Sequence, residues 1–160
     1  GAVILEAKPM AEADGRGILA TKLHADGRYA GLLKTNGGIS SNRQIGQIEM
    51  KGREVFKHAV NNLASVLQEV LGAANTSPAE LDWVVPHQAN RRILEATAKK
   101  LDLPLEKIII TVDRHANSSA ASVPLALDEA VRDGRIKRGD LILVEAMGGG
   151  FTWGASLIRM

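Results

Sequence analysis

Residues 81–101 have the sequence LDWVVPHQANRRILEATAKKL. The first part, residues 81–86, is a short apolar run that predicts a buried strand. Residues 91–101 have apolar side chains at helical spacing and predict a helix. A buried strand followed almost at once by a helix indicates an α/β layered fold. The polar residues between them lie at a strand end, which is where open α/β sheets bind ligands.

The alternation of strands and helices continues on both sides of this stretch. Apolar residues predict a helix over residues 54–71, with Gly72 placed to end it. Residues 30–47 are rich in Gly, Ser and Asn and predict a long loop. A helix is also expected over residues 118–132, and strands over 2–7, 17–25, 108–112, 141–145 and 151–158. A short glycine turn joins the last two strands, so we expect a hairpin in a mixed five-stranded sheet with helices on both faces.

The composition narrows the class of protein. The chain has 160 residues, of which 45% are apolar and 24% charged, as in a soluble domain. A net charge of +2 without a basic run interleaved with aromatics argues against nucleic-acid binding. The sequence has no Cys, which excludes disulfides and thiolate metal sites. No apolar run approaches the roughly 20 residues of a membrane span, and we expect a cytoplasmic protein.

Polar or glycine residues follow three of the predicted strands. They are His87, Asn117 and the triplet at 148–150. Each has an ordinary explanation: a loop histidine, a helix N-cap and a turn that needs positive φ. Their shared position at strand ends favours one common pocket.

Longer strings around these residues identify a family resemblance. VPHQAN at 85–90, NSSAASVP at 117–124 and GGGFTWG at 148–154 occur in that order. The series closely resembles the C-terminal half of β-ketoacyl-acyl-carrier-protein synthase III, in the thiolase superfamily, and the likeness extends over essentially all of the chain. The chain opens inside an apolar run, which supports a chain cut. We therefore expect residues 1–160 to be a C-terminal thiolase-like half-domain without its cysteine-bearing N-terminal half.

The resemblance implies a decarboxylative Claisen condensation. In that family acetyl-CoA, or another acyl-CoA primer, acylates a cysteine. Malonyl-acyl-carrier protein then loses CO2 and attacks, which gives acetoacetyl-acyl-carrier protein and initiates fatty acid biosynthesis. The catalytic pair would be His87 and Asn117, with the backbone N–H of Gly149 in the oxyanion hole. Two neutral donors suit an enolate oxygen as its charge develops. No cofactor or metal is implied, because CoA and the carrier-protein phosphopantetheine are substrate carriers.

Two departures from the family pattern lie beside these residues. Ala116 replaces the usual Gly before Asn117, which narrows the backbone freedom of that turn. Met147 stands where many relatives carry Phe, and it can fill the same apolar volume. Neither change removes a reacting group.

The resemblance also implies binding surfaces for the substrate carriers. The pantetheine arm would lie along a tunnel whose residues, from spacing alone, fit a simple core equally well: Gly52, Phe56, Ala89, Asn90 and Ile93. An acidic carrier protein would dock on basic residues that are otherwise ordinary solvated helix faces: Lys57, Arg92, Lys99 and Lys100. The other expected partners are the chain's own N-terminal half and a second copy in a homodimer.

Two alternative functions stay open at this point. The chain could be a non-catalytic carrier-protein-binding fragment, because it lacks the nucleophile. It could also belong to a related polyketide- or quinolone-type condensing enzyme, because those enzymes share a His–Asn pair. The local strings favour synthase III.

Overall fold

Strands and helices alternate along the chain. The computed structural model describes residues 1–160 apart from the side chain of Met10. The strands are β1 (Gly17–Ala25), β2 (Leu33–Thr35), β3 (Ile48–Met50), β4 (Trp83–Pro86), β5 (Leu141–Gly148) and β6 (Thr152–Arg159). The α-helices are α1 (Met10–Ala13), α2 (Gly52–Ala73), α3 (Arg91–Lys100), α4 (Val112–His115) and α5 (Ser122–Arg132). Short 3₁₀ helices cover Gly27–Leu32, Pro78–Glu80, Leu105–Lys107 and Ser119–Ala121.

The main sheet is mixed, as predicted. Its strand order is β1-β6-β5-β4, and β4 runs parallel to β5, with Trp83 opposite Ile142. The predicted hairpin is confirmed, because β5 and β6 pair antiparallel from Leu141–Arg159 to Gly148–Thr152. Strands β2 and β3 form a separate antiparallel pair; β2 lies within residues 30–47, which the sequence predicted as a loop, and β3 follows directly after them.

The main sheet has four strands and not the predicted five, and the strand expected at residues 108–112 does not form. This segment makes one parallel bridge, between Ile108 and Val84, and the Ile109 N–H donates to the Val84 carbonyl at 2.9 Å. The next backbone N–H groups, of Thr111 and Val112, donate to the side chain of Gln88 instead of a strand. Ile108, Ile109 and Thr111 are buried as predicted, but the Gln88 side chain ends the pairing of this segment.

The apolar run at residues 2–7 is also not the predicted buried strand. These residues lie outside the strands of the described structure, and Val3, Ile4 and Leu5 are 67%, 97% and 75% exposed. The hydrogen-bonded neighbour of β1 is β6. Apolar character alone was a poor guide here, because a strand also needs a partner for its backbone hydrogen bonds.

Helices cover both faces of the sheet, as predicted. On one face α2 and α3 pack on β5 and β6 through Leu67, Val70, Leu94 and Leu143. On the other face α5 packs through Ala126 and Ala130 on residues of β4 and β5. Helix α2 continues past Gly72 to Ala73, and the chain reverses at Asn75, where φ is 51°. The large aliphatic side chains of this core each contribute about 1.5–3 kcal/mol by burial.

Candidate active site

His87 follows β4 directly and is held through its backbone and its ring. Its N–H donates to the carbonyl of Glu145 on β5 at 2.8 Å, which continues the parallel pairing beyond the strand. Its ring atom Nδ1 lies 2.5 Å from Oγ of Ser122, the first residue of α5. The ring is half-buried, and burial lowers the pKa of His87 below its ordinary value. Burial of the ring therefore favours the neutral imidazole.

Gln88 connects the His87 loop to the segment that leads to Asn117. It is 0% exposed. Its Nε2 donates to the carbonyls of Pro86 and Ile109 at 2.9 and 3.0 Å. Its Oε1 accepts from the N–H groups of Thr111 and Val112 at 2.8 and 3.1 Å. The buried amide is thus fully bonded and fixes the two polar segments relative to each other.

Asn117 lies in a constrained turn between α4 and α5. Ala116 before it has φ 53° and ψ −164°, a region that is essentially limited to glycine. The Asn117 side chain folds back on its own loop, where Oδ1 accepts from the N–H of Ser119 at 3.1 Å. This hydrogen bond occupies the oxygen and leaves the Nδ2 hydrogens available as donors. The exposed Asn117 carboxamide is therefore oriented by a local bond.

Gly149 joins His87 and Asn117 around one cleft of about 730 Å³. A Cβ atom at Gly149 would lie 3.0 Å from the carbonyl oxygen of Leu33, so the close approach of β2 favours glycine there. Thr152 Oγ1 donates to the Gly149 carbonyl at 3.2 Å and holds the turn. The structure thus brings together the three groups that the sequence placed at separate strand ends.

A narrower channel of about 300 Å³ opens on the same pair. His87 and Asn117 line it together with three of the predicted tunnel residues, Ala89, Asn90 and Ile93. Asn90 Oδ1 caps α3 by accepting from the Ile93 N–H at 3.0 Å. The amide hydrogens of Asn90 therefore remain available as hydrogen-bond donors.

Two other predicted tunnel residues lie outside the described lining of this channel. Gly52 is exposed at the start of α2, and Phe56 is half-buried against the apolar cluster of Ala59, Leu63 and Ile93. Instead Leu33, Ile48 and Met50, from the small β2–β3 sheet, complete the channel wall. None of the three was predicted from the sequence: Leu33 lies in the expected loop at 30–47, and Ile48 and Met50 lie in the short stretch between that loop and the expected helix at 54–71.

The predicted docking residues lie exposed on two adjacent helices. Lys57 is on α2, and Arg92, Lys99 and Lys100 are on α3. The Arg92 guanidinium lies over the ring of Phe56, 6.0 Å from its centre, and Lys100 donates to Asn61 on α2. We name Lys57, Arg92, Lys99 and Lys100 the basic face; it adjoins the channel at Ile93.

The other three histidines have partners away from this cleft. His24 Nε2 lies 2.8 Å from a Glu69 carboxylate oxygen, and His115 Nε2 lies 2.9 Å from Glu129. His58 packs against the ring of Tyr29, with centres 4.2 Å apart. Among the described residues, no group of three or more His, Cys, Asp or Glu is placed to hold a metal ion. In the same residues, each helix is too short or too polar to cross a membrane.

Comparisons with known proteins agree on one family. Residues 71–160 match the family model for 3-oxoacyl-[acyl-carrier-protein] synthase III, C-terminal. The β-ketoacyl-[acyl-carrier-protein] synthase III of Rhizorhabdus wittichii is 65% identical over 159 residues, which are 99% of this chain and 49% of that protein. The relative from Sphingopyxis alaskensis is 62% identical over 160 residues, 100% of this chain and 49% of its own length.

A solved structure extends the likeness to three dimensions. The crystal structure of 3-oxoacyl-[acyl-carrier-protein] synthase III from Aquifex aeolicus superposes with a TM-score of 0.83 at 49% identity, over 89% of this chain and 44% of that chain. The predicted thiolase-like fold class is thereby confirmed. The chain spans about half the length of the curated relatives it matches. This chain belongs to the 3-oxoacyl-[acyl-carrier-protein] synthase III C-terminal family.

Proposed function

We propose that this chain is the decarboxylating half of a β-ketoacyl-acyl-carrier-protein synthase III. The complete enzyme condenses an acyl-CoA primer, acetyl-CoA in the simplest case, with malonyl-acyl-carrier protein and so initiates fatty acid biosynthesis. The nucleophilic cysteine belongs to the N-terminal half of the enzyme, since residues 1–160 contain no Cys. One observation carries the proposal: His87 and Asn117 line the same cleft. His87 Nδ1 and Asn117 Oδ1 are already hydrogen-bonded, which leaves Nε2 of His87 and Nδ2 of Asn117 for the substrate.

The reaction needs hydrogen-bond donors at one oxygen. In malonyl-carrier protein the bond between the α-carbon and the carboxylate breaks, CO2 leaves, and the electron pair forms an enolate on the thioester oxygen. Nε2–H of His87 and Nδ2–H of Asn117 donate to that oxygen as its charge develops. The α-carbon then attacks the acyl-cysteine carbonyl, and the thiolate leaves. The Gly149 N–H stabilises the oxyanion that forms during this attack.

The narrow channel suits the pantetheine arm of CoA and of the carrier protein. Its walls are mostly aliphatic, from Ala89 and Ile93 on one side to Leu33 and Ile48 on the other. The Asn90 amide supplies a polar contact for the arm's own amide groups. Phe56 packs against the cluster of Ala59, Leu63 and Ile93 beside this wall, and Gly52 lies exposed at the start of the same helix.

The basic face is the proposed docking surface for the acidic carrier protein. Exposed cations beside the channel steer an acidic partner towards it, and salt weakens that steering. The resemblance further supports a cytoplasmic homodimer that uses neither metal nor cofactor, with CoA and phosphopantetheine as carriers.

The proposal is tested by assembling the complete enzyme. This chain is mixed with a cysteine-bearing N-terminal half, the complex is identified by native mass, and acetoacetyl-carrier protein is measured. Product is expected from the complex and not from the chain alone. His87→Ala should abolish it, whereas His24→Gln, at a histidine bound to Glu69, should leave it unchanged. A stable complex that forms no product, yet still binds carrier protein, would support a non-catalytic binding fragment instead.

A further inference from the structure

Ser122 connects α5 to the ring of His87 and to the backbone after it. The residue is 0% exposed. Its Oγ lies 2.5 Å from His87 Nδ1 and accepts from the Gln88 backbone N–H at 3.2 Å.

The number of hydrogens at this oxygen decides the direction of the bond to His87. The Gln88 N–H can only donate, so it uses a lone pair of Oγ. The hydroxyl carries a single hydrogen, and among the hydrogen bonds of the described residues its available acceptor is His87 Nδ1. If Nδ1 carried a proton, two donors would point at Oγ and the serine hydrogen would be buried without a partner. An unmade buried hydrogen bond is costly, so the arrangement Oγ–H···Nδ1 is favoured.

We propose that Ser122 is a positioning residue that fixes His87 as the Nε2–H tautomer, with that N–H directed to the cleft shared with Asn117. The inference rests on the proposed function, in which His87 must donate through Nε2. Burial lowers the pKa of His87 and so supports the neutral ring on which a tautomer choice depends.

The surroundings hold Ser122 rigidly in this role. Its neighbour in space, Gln88, is clamped by its own four side-chain hydrogen bonds, so the N–H that meets Oγ cannot move away. Helix α5 is fixed to the sheet through Ala126 and Ala130. Serine is small enough for this site, and its single hydrogen selects one nitrogen.

The test reads the tautomer directly and without activity. The complete protein is labelled with ¹⁵N-histidine, the His87 signals are identified by their loss in His87→Gln, and the ring-nitrogen shifts are recorded at pH 7.5. The expected result is a protonated Nε2 and an unprotonated Nδ1. In Ser122→Ala this preference should weaken or reverse, and in Ser122→Thr, which keeps the hydroxyl, it should return.

A kinetic measurement accompanies the spectrum. Ser122→Ala should slow CO2 release from malonyl-carrier protein while cysteine acylation and the KM for acetyl-CoA stay unchanged. Mutating the residue that orients a metal-bound histidine typically lowers activity about 10–100-fold. We expect a similar decrease in kcat for Ser122→Ala.

Two results would overturn the assignment: a protonated Nδ1 in the parent protein, or an unchanged tautomer in a folded Ser122→Ala variant. Failure of the proposed function looks different. If the tautomer assignment is right and the proposed function is wrong, the parent protein would have the Nε2–H tautomer, but the His87→Ala variant would condense substrate at the normal rate.

Discussion

Replacing Glu145 with Gln should stabilise the protein in a strongly pH-dependent way. Glu145 lies on β5 with 3% of its surface exposed, and burial raises its pKa from 4.5 to about 8. Its Oε2 and Oγ of Thr97 are both buried without a hydrogen-bond partner among the described residues. The carboxyl group faces a void of about 10 Å³ whose other walls carry no charge: Leu63, Val84, Pro86, Leu94, Thr97, Ala98, Leu101 and Ile108.

The size and sign of the effect follow from proton linkage. Below about pH 4.5 the carboxyl is protonated in both the folded and the unfolded chain and costs nothing extra. Between about pH 4.5 and 8 the unfolded chain loses this proton and the folded one keeps it, so the free energy of unfolding decreases as pH rises. Each pKa unit corresponds to about 1.4 kcal/mol. Between pH 5 and 8 the Glu145 protein should therefore lose about 3–4 kcal/mol that the Gln variant keeps.

Denaturant unfolding of the complete protein at pH 5 and pH 8 measures this directly. Glu145→Gln should match the parent within about 1 kcal/mol at pH 5 and exceed it by about 3–4 kcal/mol at pH 8. All other groups titrate in both proteins and cancel in the difference. Glu106→Gln, at an exposed carboxylate, is the matched control and should show no such change. A stability difference that is the same at both pH values would refute the reasoning, because Glu145 would then not be a neutral buried acid.

Three further substitutions test other parts of the site. Ala116→Gly should raise the free energy of unfolding by about 1 kcal/mol, since relief of backbone strain exceeds the entropy cost of glycine. A decrease in that free energy, measured by denaturant unfolding, would contradict this. Arg92→Ala should raise the KM for malonyl-carrier protein far more than that for acetyl-CoA, less so at high salt; equal effects in steady-state assays would exclude its docking role. Gln88→Leu should cost at least about 3 kcal/mol, because it removes the side-chain partner of four backbone groups, three in buried hydrogen bonds and one in a half-buried one. Denaturant unfolding measures this, and a loss under about 1 kcal/mol would argue against a structural role of the Gln88 side chain.

The position of His87 was predictable, because a polar residue directly after an apolar run is visible locally. Asn117 lines the predicted common cleft, although the strand expected before it did not form and α4 lies before it instead. The sequence also predicted the β5–β6 hairpin from the glycine turn between them. The His87 position and the hairpin depend on residues close together in the sequence, and the spacing of apolar residues and glycines along the chain is enough to predict them.

The sequence could not predict the contacts that hold those groups in place. Ser122 and His87 are 35 positions apart, and their hydrogen bond depends on how α5 crosses the sheet. Gln88 ended the pairing of residues 108–112 through a side chain, which no propensity scale anticipates. The strand predicted at residues 2–7 did not form for a related reason, since strand formation depends on a partner elsewhere in the fold.

The central claim is that His87 and Asn117 act on malonyl-carrier protein and not on the priming step. The most direct measurement follows CO2 release and cysteine acylation together in the complete enzyme, for the parent, His87→Ala and Asn117→Ala. Each variant should release CO2 about 100-fold or more slowly, as expected for loss of a donor to a developing oxyanion, and should acylate its cysteine at the parent rate. Normal CO2 release in either folded variant, or an equal loss in both steps, would contradict the account.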